Sequence, residues 1–300
     1  MTKLDLIAHA KINLALDVIG KRPDGYHEVR TVMQHIDLHD NVCVKWIEGG
    51  EAGIEIETGS NRKYLPTDEK NIAYKAARLL ISRFDIYKDY GPGKVRIDIK
   101  KQIPVAAGLG GGSANGAAVL HALSDIWGLG LSLEELVKLG AEIGSDVPFC
   151  VMGQAGNAGA LAEGTGTELS SVRGIKCFIV LSRPPISVST AEVYRGFDRL
   201  LESDFERPDT EALLAAMKAG NLMEAAKNMI NVLENYTLTA YPQVKETKEK
   251  MARETSPVKV MMSGSGPTII GFYRNRAVAA AAYKKMAALN KETFLARTLV

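Results

Sequence analysis

The segment IPVAAGLGGGSANGAAVLHAL, residues 103–123, limits most strongly what this chain can fold into. It places a glycine cluster and a serine between a β-like run that ends near Ile99 and a helix of small residues that Trp127 closes. Glycine loses more conformational entropy on folding than any other residue, so the cluster indicates a positive-φ turn or a close approach to the backbone. A phosphate chain at a helix N-terminus would make such an approach, and a flexible loop is the alternative.

The composition is that of an ordinary globular protein whose 300 residues are enough for two domains. Hydrophobic residues make up 46% and charged residues 24%, which excludes a disordered or fibrous chain. The 37 basic and 35 acidic residues are spread along the sequence and leave no basic footprint for nucleic acid or an anionic membrane. We therefore expect a small-molecule substrate, no nucleic acid and no membrane partner.

The cysteines and the N-terminal segment indicate the compartment. Cys43, Cys150 and Cys177 are far apart and sit in apolar runs, which is typical of free thiols in a reducing environment. The first residues lack the apolar core and cleavage site of a signal peptide, and no apolar run approaches the roughly 20 residues of a membrane helix. We expect a cytoplasmic protein.

The first half of the chain has the mixed pattern of an α+β fold. Alternating residues predict strands in LDLIAHAKINLALDVIG and KVRIDIK, and a hairpin in NVCVKWIEGGEAGIEIET that turns at Gly49 and Gly50. Helical periodicity predicts helices in NIAYKAARLLISRF and from about Ser113 to Trp127. A third helix opens at Ser132, which forms a capping-box pattern with Glu135.

The second half starts a new pattern after a predicted domain boundary near residue 160, which gives domains 1–160 and 161–300. We predict, in order, the strand CFIVL, helices near 190–204, 209–219, 221–235 and 241–254, the strands VKVMM and TIIGFY, the helix RAVAAAAYKKMAAL and the strand ETFLARTLV. This order is typical of a split βαβ sheet with helices on one face.

The glycine-rich segment fits neither of the two familiar phosphate motifs. Ser113 stands where a dinucleotide-binding fold needs its third glycine, and no lysine occupies the place that a Walker A loop requires. What remains is a glycine cradle with a serine at a helix start. Its backbone N–H groups can bind a triphosphate and its hydroxyl can face Mg²⁺.

Lys11 and Asp146 are two charged residues that interrupt apolar patterns. A lysine in HAKINLAL can extend its ammonium to solvent at a strand edge, and an aspartate in IGSDVPF can close a turn. Together they also match phosphoryl transfer to a hydroxyl, which needs a carboxylate for the acceptor and a cation for the transferring group.

Two histidine-bearing segments allow other interpretations. His35, Asp37 and His39 would share one face of a strand and could form a metal trio, but strand alternation alone produces that spacing and no further ligand is evident. The pair Tyr26 and His27 follows a turn signal. It could stack on a planar ring or lie in a solvated loop.

Three glycine-bearing segments, GLGGGSANGAA, GSDVPF and MMSGSGPTII, follow one another in order along the chain. With AKINLALDVIG and RPPISVSTAEVY they make the sequence resemble the GHMP kinases, the family of galactokinase, homoserine kinase, mevalonate kinase and phosphomevalonate kinase. The motifs span nearly the full length. The segment RPDGYHE narrows the resemblance to the branch that phosphorylates the 2-hydroxyl of 4-diphosphocytidyl-2-C-methyl-D-erythritol in the non-mevalonate isoprenoid pathway.

The resemblance implies a two-domain GHMP kinase fold: a first domain similar to a ribosomal small-subunit protein domain, a ferredoxin-like second domain, and an active site in the cleft between them. It implies that Lys11 and Asp146 are the catalytic pair, in which Lys11 keeps Asp146 ionised. The substrate-binding residues that it implies are Asn13 and Thr190 near the acceptor, Tyr26 and His27 on the cytosine ring, and Tyr194 flanking that ring.

The resemblance also implies ATP as co-substrate with Mg²⁺. Asn71 and Lys101 would lie near the adenine, and Ser113 would face the metal ion. The residues expected to wrap the phosphates are Pro104, Ala106, Ala107, Gly108, Leu109, Gly110, Gly111, Gly112, Ser113 and Asn115. We expect a monomer or a weak homodimer.

Three departures from the family pattern stand out. Ala114 replaces the second serine of the usual Ser-Ser pair, and Gly116 stands where alanine is commoner. The segment MGQAGNAGALAEGTG is longer than the usual link at this point.

A GHMP kinase for mevalonate or homoserine remains the alternative, and a non-enzymatic RNA-binding protein is a second one, because fold does not fix function.

Overall fold

A computed structural model describes all residues from Met1 to Val300. Its strands are β1 (Thr2–Lys21), β2 (His27–Glu48), β3 (Ile54–Ser60), β4 (Gly93–Lys100), β5 (Gly159–Glu163), β6 (Glu168–Val172), β7 (Phe178–Arg183), β8 (Lys259–Met262), β9 (Ile269–Tyr273) and β10 (Glu292–Arg297). Its helices are α1 (Ile72–Arg83), α2 (Ile86–Tyr90), α3 (Gly111–Ile126), α4 (Leu133–Ile143), α5 (Val147–Gln154), α6 (Thr190–Phe197), α7 (Thr210–Lys218), α8 (Leu222–Lys227), α9 (Glu234–Ala240), α10 (Pro242–Glu254) and α11 (Arg276–Leu289).

The residues form two compact units, each assembled from several segments of the chain. The first unit contains Met1–Ala10, Leu38–Val105 and Gly110–Asn157, and the second contains Lys11–Asp37, Ala106–Leu109 and Ala158–Val300. Strands β1 and β2 therefore contribute residues to both units. Residue 160 lies within β5. The predicted division of the chain into domains 1–160 and 161–300 stays a prediction.

In the first unit, β4 lies between β2 and β3. It pairs antiparallel with β2, where Glu48 is opposite Gly93, and parallel with β3, where Ile54 is opposite Gly93. The predicted hairpin at Gly49 and Gly50 is therefore wrong. Both glycines do adopt positive φ. The Gly49 N–H, however, donates to the carbonyl of Pro92, the residue before β4, over 2.9 Å.

The core of the first unit forms where helices of small residues pack closely. Helix α3 buries twelve of its residues, and a Cβ added at its Gly116 would lie 2.6 Å from the Ile72 side chain of α1. A side chain at position 116 would therefore collide with Ile72. The rings of Trp46 and Trp127 meet edge to face at 5.7 Å in the same core.

In the second unit, β7 to β10 form an antiparallel sheet in the order β10-β7-β9-β8. The order confirms the predicted split βαβ arrangement with its ferredoxin-like topology. The apolar residues of these strands pack against α6, α10 and α11 to give a core that includes Phe197, Met251 and Tyr273.

The long segment after α5 is not a simple loop. Residues 159–163 form β5, which pairs antiparallel with the first half of β2 and with β6. Gly159 allows this pairing, because a Cβ there would lie 3.2 Å from the carbonyl oxygen of Met33.

Two predicted helices have different bounds in the structure. The helix expected over 190–204 ends at Phe197 and continues as a 3-10 turn over Asp198–Leu200. The helix expected over 221–235 ends at Lys227, and α9 begins only at Glu234, because Asn231 between them makes a bridge with Leu16 of β1. No helix combines the length and the apolar character that crossing a membrane requires.

Candidate active site

A chain of hydrogen bonds fixes the buried ammonium group of Lys11. Its Nζ donates to Asn13 Oδ1 over 3.0 Å, and Asn13 Nδ2 donates to Thr31 Oγ1 over 2.8 Å. Thr31 in turn donates to the Ala15 carbonyl over 2.6 Å. The lysine is only 4% exposed, so β1 and β2 hold a preoriented cation and a fixed amide beside one another. The structure thus brings together Lys11 and Asn13, two of the residues expected in the site.

Within the second unit, the turn Ala106–Leu109 lies against Lys11 and the glycine segment after β8. Lys11 N–H donates to the Leu109 carbonyl over 3.0 Å, and Ser263 Oγ donates to the Gly108 carbonyl over 2.9 Å. Gly108 has φ +75°, and a Cβ there would lie 2.4 Å from the backbone oxygen of Ser263. A glycine is therefore required here by a close approach of the Ser263 backbone, a partner that the sequence analysis did not name.

The glycine segment itself is held by Asn231, which the sequence analysis missed. Asn231 Nδ2 donates to the carbonyl oxygens of Met262 over 2.9 Å and Gly264 over 2.7 Å. Thr190, expected near the acceptor, has its Oγ1 2.9 Å from Ser265 Oγ. Asn231 is 1% exposed in an apolar run, and a lone amide in such a run was the available signal.

The residues expected on the cytosine ring occupy two settings. The ring of His27 lies 4.8 Å from that of Tyr194 and is inclined to it by 39°. Tyr26 is 62% exposed, and its backbone N–H donates to Asp24 Oδ1 over 3.0 Å. Asp198, which the sequence analysis did not single out, lies 2.5 Å from His27 Nε2 through Oδ1.

In the first unit, the N-terminus of α3 offers backbone donors. Gly110 occupies the N-cap position with φ +66° and no side chain to cap the first turn, which also contains no acidic residue. Ser113 lies in that turn and is 9% exposed. The first N–H groups of a helix lack intrahelical acceptors and carry the positive end of the dipole, so this end can bind an anion. Upstream in the second unit, Ala106 adopts φ +54°, a strained value for a residue with a side chain.

Asp40 of β2 is bonded both to the residues that directly follow β4 and to helix α3. Its Oδ1 accepts the N–H groups of Gln102 over 2.7 Å and Ile103 over 2.9 Å, and its Oδ2 accepts Asn115 Nδ2 over 2.9 Å. The same Oδ2 forms a very short ion pair with Lys101 Nζ. Burial lowers the pKa of Lys101, and the charge of Asp40 opposes that change. Lys101, expected near the adenine, thus directs its ammonium to Asp40 and to Asn115 Oδ1 at 3.1 Å.

Asn71 and Asp146 each begin a helix. Asn71 Oδ1 accepts Ala73 N–H over 3.0 Å at the start of α1, and its Nδ2 donates to the Pro66 carbonyl over 2.8 Å. Asp146 holds the N-cap position of α5 without a capping bond from its side chain. Its carboxylate therefore does not cap that helix. Pro104 and Ala107, the other residues expected on the phosphates, are both buried.

Two members of the possible metal trio, Asp37 and His39, are engaged in other contacts. Asp37 accepts the Arg297 backbone N–H over 2.9 Å and pairs with the Arg297 side chain at 3.2 Å. His39 packs edge to face on His9 at 5.6 Å. No three histidine, cysteine or acidic side chains of the chain are grouped so that they could hold a metal ion.

Comparison with known proteins places these features in a family. The sequence model for the GHMP kinases N terminal domain matches residues 71–154, and that for the GHMP kinases C terminal matches residues 203–292. A 4-diphosphocytidyl-2-C-methyl-D-erythritol kinase of Alkaliphilus oremlandii is 45% identical over 99% of this chain and 97% of its own length. One of Alkaliphilus metalliredigens is 44% identical over the same shares.

A solved structure agrees with this assignment. The crystal structure of a 4-(cytidine 5'-diphospho)-2C-methyl-D-erythritol kinase superposes with a TM-score of 0.80 at 30% identity, covering 98% of this chain and 99% of that one. A homoserine kinase of Cytophaga hutchinsonii superposes with a TM-score of 0.74 at 15% identity over 100% of this chain and 95% of its own, which shows a shared fold alone.

Proposed function

Because the chain belongs to the GHMP kinase family, we propose that it transfers the γ-phosphoryl group of ATP to the 2-hydroxyl of 4-diphosphocytidyl-2-C-methyl-D-erythritol. The observation that carries this acceptor is 45% identity to a kinase of that name over nearly the whole of both chains. The reaction belongs to the non-mevalonate route to isoprenoid precursors. The three free cysteines support a cytoplasmic site of action, where we propose a monomer or a weak homodimer.

The nucleotide phosphates would bind at the N-terminus of α3. Gly110 at the N-cap is partly exposed and Gly112 is exposed, and no acidic residue in the first turn opposes a polyanion. The phosphate-binding loop would extend from Pro104 to Asn115, with Asn71 and Lys101 near the adenine. Asp40 supports the base of this loop by accepting the backbone N–H groups of Gln102 and Ile103, which directly precede it.

The residues present fit a magnesium ion that the nucleotide brings with it. Mg²⁺ keeps several water ligands and commonly binds through one or two protein oxygens and the substrate phosphates, so the absence of an acidic cluster is compatible with it. Ser113 would supply the protein oxygen from the first turn of α3. When bound, the ion would neutralise charge on the phosphate oxygens.

Asp146 and Lys11 would serve the transfer itself. We assign Asp146 the acceptor hydroxyl, which it would orient or deprotonate as the oxygen attacks the γ-phosphorus and ADP departs with the electrons of the broken P–O bond. Lys11 would offset negative charge on the transferring group. The hydrogen bonds that fix its ammonium support this role, since a preorganised cation needs no reorganisation during reaction.

The remaining residues would bind the acceptor. His27 and Tyr194, whose rings already pack together, would contact the cytosine, and the exposed ring of Tyr26 would cover it. Asn13 and Thr190 would lie beside the methylerythritol hydroxyls. Aromatic packing and hydrogen bonding at one planar base would favour this acceptor over mevalonate or homoserine, which have no ring.

A coupled assay of ADP release tests the proposal. Mg-ATP is offered with diphosphocytidyl-methylerythritol, mevalonate, homoserine or no acceptor. Turnover with the cytidyl acceptor alone is the expected result. Turnover with another alcohol would keep the kinase and overturn the acceptor, while ATP-independent RNA binding that weakens with salt, without turnover, would favour the non-enzymatic alternative.

A further inference from the structure

We propose that Asp198 is a positioning residue for recognition of the nucleotide-linked acceptor, because it fixes the ring orientation and the protonated nitrogen of His27. The inference rests on the proposed function, in which His27 contacts the cytosine. Asp198 lies 171 residues from His27 along the chain, and its side chain reaches the histidine from the turn that follows α6.

The hydrogen bond defines which nitrogen of His27 carries a proton. Asp198 Oδ1 lies 2.5 Å from Nε2, and an ionised carboxylate can only accept, so Nε2 must donate. In a neutral imidazole, Nδ1 is then the nitrogen that can accept a hydrogen bond. A rotation of the ring by half a turn about its Cβ–Cγ bond would put Cε1 in the place of Nε2 and break this bond.

The carboxylate of Asp198 is itself held on its other oxygen. Lys21, the last residue of β1, donates from Nζ to Oδ2 over 2.6 Å. Burial on its own would raise the pKa of Asp198, but the hydrogen bonds from His27 and Lys21 outweigh it and leave that pKa below its ordinary value. The group is therefore ionised at neutral pH, as an acceptor for Nε2–H must be.

Helix α6 and the turn that follows it supply the two groups that set the imidazole. Tyr194 lies one turn before Asp198, and the Asp198 backbone N–H donates to the Tyr194 carbonyl. Residues four apart share a helical face, so the Tyr194 ring covers a face of the imidazole while Asp198 bonds its edge. The His27 side chain is 9% exposed between them. Removal of Asp198 would leave the ring packed on Tyr194 but free to turn about its own axis.

Steady-state kinetics test the role with three variants. A charge-assisted hydrogen bond contributes about 1.5–3 kcal/mol, so Asp198→Ala is expected to raise the KM for the cytidyl acceptor by about tenfold or more. The kcat and the KM for ATP should stay close to wild type. Asp198→Asn keeps an oxygen that can accept Nε2–H and should recover most of the affinity. Asp204→Ala, at an exposed position nearby in sequence, is the matched control.

Nitrogen NMR of histidine-labelled protein supplies a readout besides activity. The His27 signals, assigned with His27→Gln, should show a protonated Nε2 in the wild type and in Asp198→Asn, and a mixture of tautomers in Asp198→Ala. An unchanged acceptor KM and an unchanged tautomer in Asp198→Ala would overturn the inference. A parallel loss of kcat and of ATP affinity would also overturn it, because it would reveal a general structural role.

The proposed function and this inference fail in different ways. If the wild-type enzyme does not turn over the cytidyl acceptor, the acceptor assignment is wrong and the recognition role of Asp198 is overturned with it. If the wild type turns over that acceptor and Asp198→Ala binds it equally well, only the positioning role is wrong.

Discussion

The carboxylate of Asp40 accepts the side-chain amide of Asn115 over 2.9 Å, although 75 residues separate them along the chain. The bond ties the middle of β2 to the second turn of α3. Asp40 also accepts two backbone N–H groups at the base of the glycine-rich segment. The helix end proposed to bind the phosphates is therefore anchored to the sheet by one buried carboxylate.

Replacement of Asp40 should be costly. Asp40→Ala leaves the buried ammonium of Lys101 without its counter-charge, and loss of one partner of a buried ion pair costs about 3–5 kcal/mol. Urea unfolding should show that loss, and the KM for ATP should rise. Asp89→Ala, at an exposed site in the same unit, should change neither. Equal stability of the two variants would contradict the anchoring role.

Gly108→Ala should destabilise the protein more than the backbone strain of an alanine at positive φ explains. The new Cβ would lie 2.4 Å from the backbone oxygen of Ser263, and backbone cannot yield as a side-chain end can. Gly220→Ala is the matched control, because Gly220 also has positive φ but nothing within 4 Å. The control should lose about 1–2 kcal/mol, and Gly108→Ala about 1–3 kcal/mol more. Denaturant midpoints measure the difference, which would be absent if the segments separate readily.

Asp146→Asn should abolish most turnover while nucleotide binding persists. If the carboxylate orients or deprotonates the acceptor, kcat should fall by about 10²–10⁴. The variant should still bind ATP, which calorimetry can measure. Near-normal turnover would contradict the assignment.

Cys177 should resist alkylation in the folded protein. Burial raises the pKa of its thiol from 9.0 to about 12, so almost no thiolate forms at pH 8. Since the folded pKa exceeds the unfolded one, this thiol adds stability that is fully present below pH 9.0 and is lost as the pH rises towards about 12. Mass spectrometry after iodoacetamide treatment should find Cys43, which is partly exposed, modified before Cys177. Equal rates would contradict the burial argument.

Local patterns predicted the elements whose causes are local. The capping box at Ser132 and Glu135 is present with both of its bonds, because both partners lie within four residues of sequence. The hairpin at Gly49 and Gly50 is wrong, because positive φ permits a turn but does not determine which strands pair. The pairing depends on β4, more than forty residues later in the chain.

The missed site residues share one property: each is polar and bonds partners far away in sequence. Asp40 lies in register with the buried Val42, Val44 and Trp46 on one face of β2, so a carboxylate amid apolar residues was the readable signal. Its partners, 61 to 75 residues away, were not readable. Asp198 gave no such signal, because its helix ends at the surface.

The interleaving of the two compact units along the chain has a consequence for dissecting the protein. A fragment that begins at residue 161 would omit Lys11–Asp37 and Ala106–Leu109, which belong to the same unit as the ferredoxin-like sheet. It would lack the Leu16 backbone groups that bond Ile230 and Val232 and would expose apolar surface that those segments cover. Expression of either sequence half alone should yield an aggregating polypeptide, because neither half contains all the segments that one compact unit needs to fold.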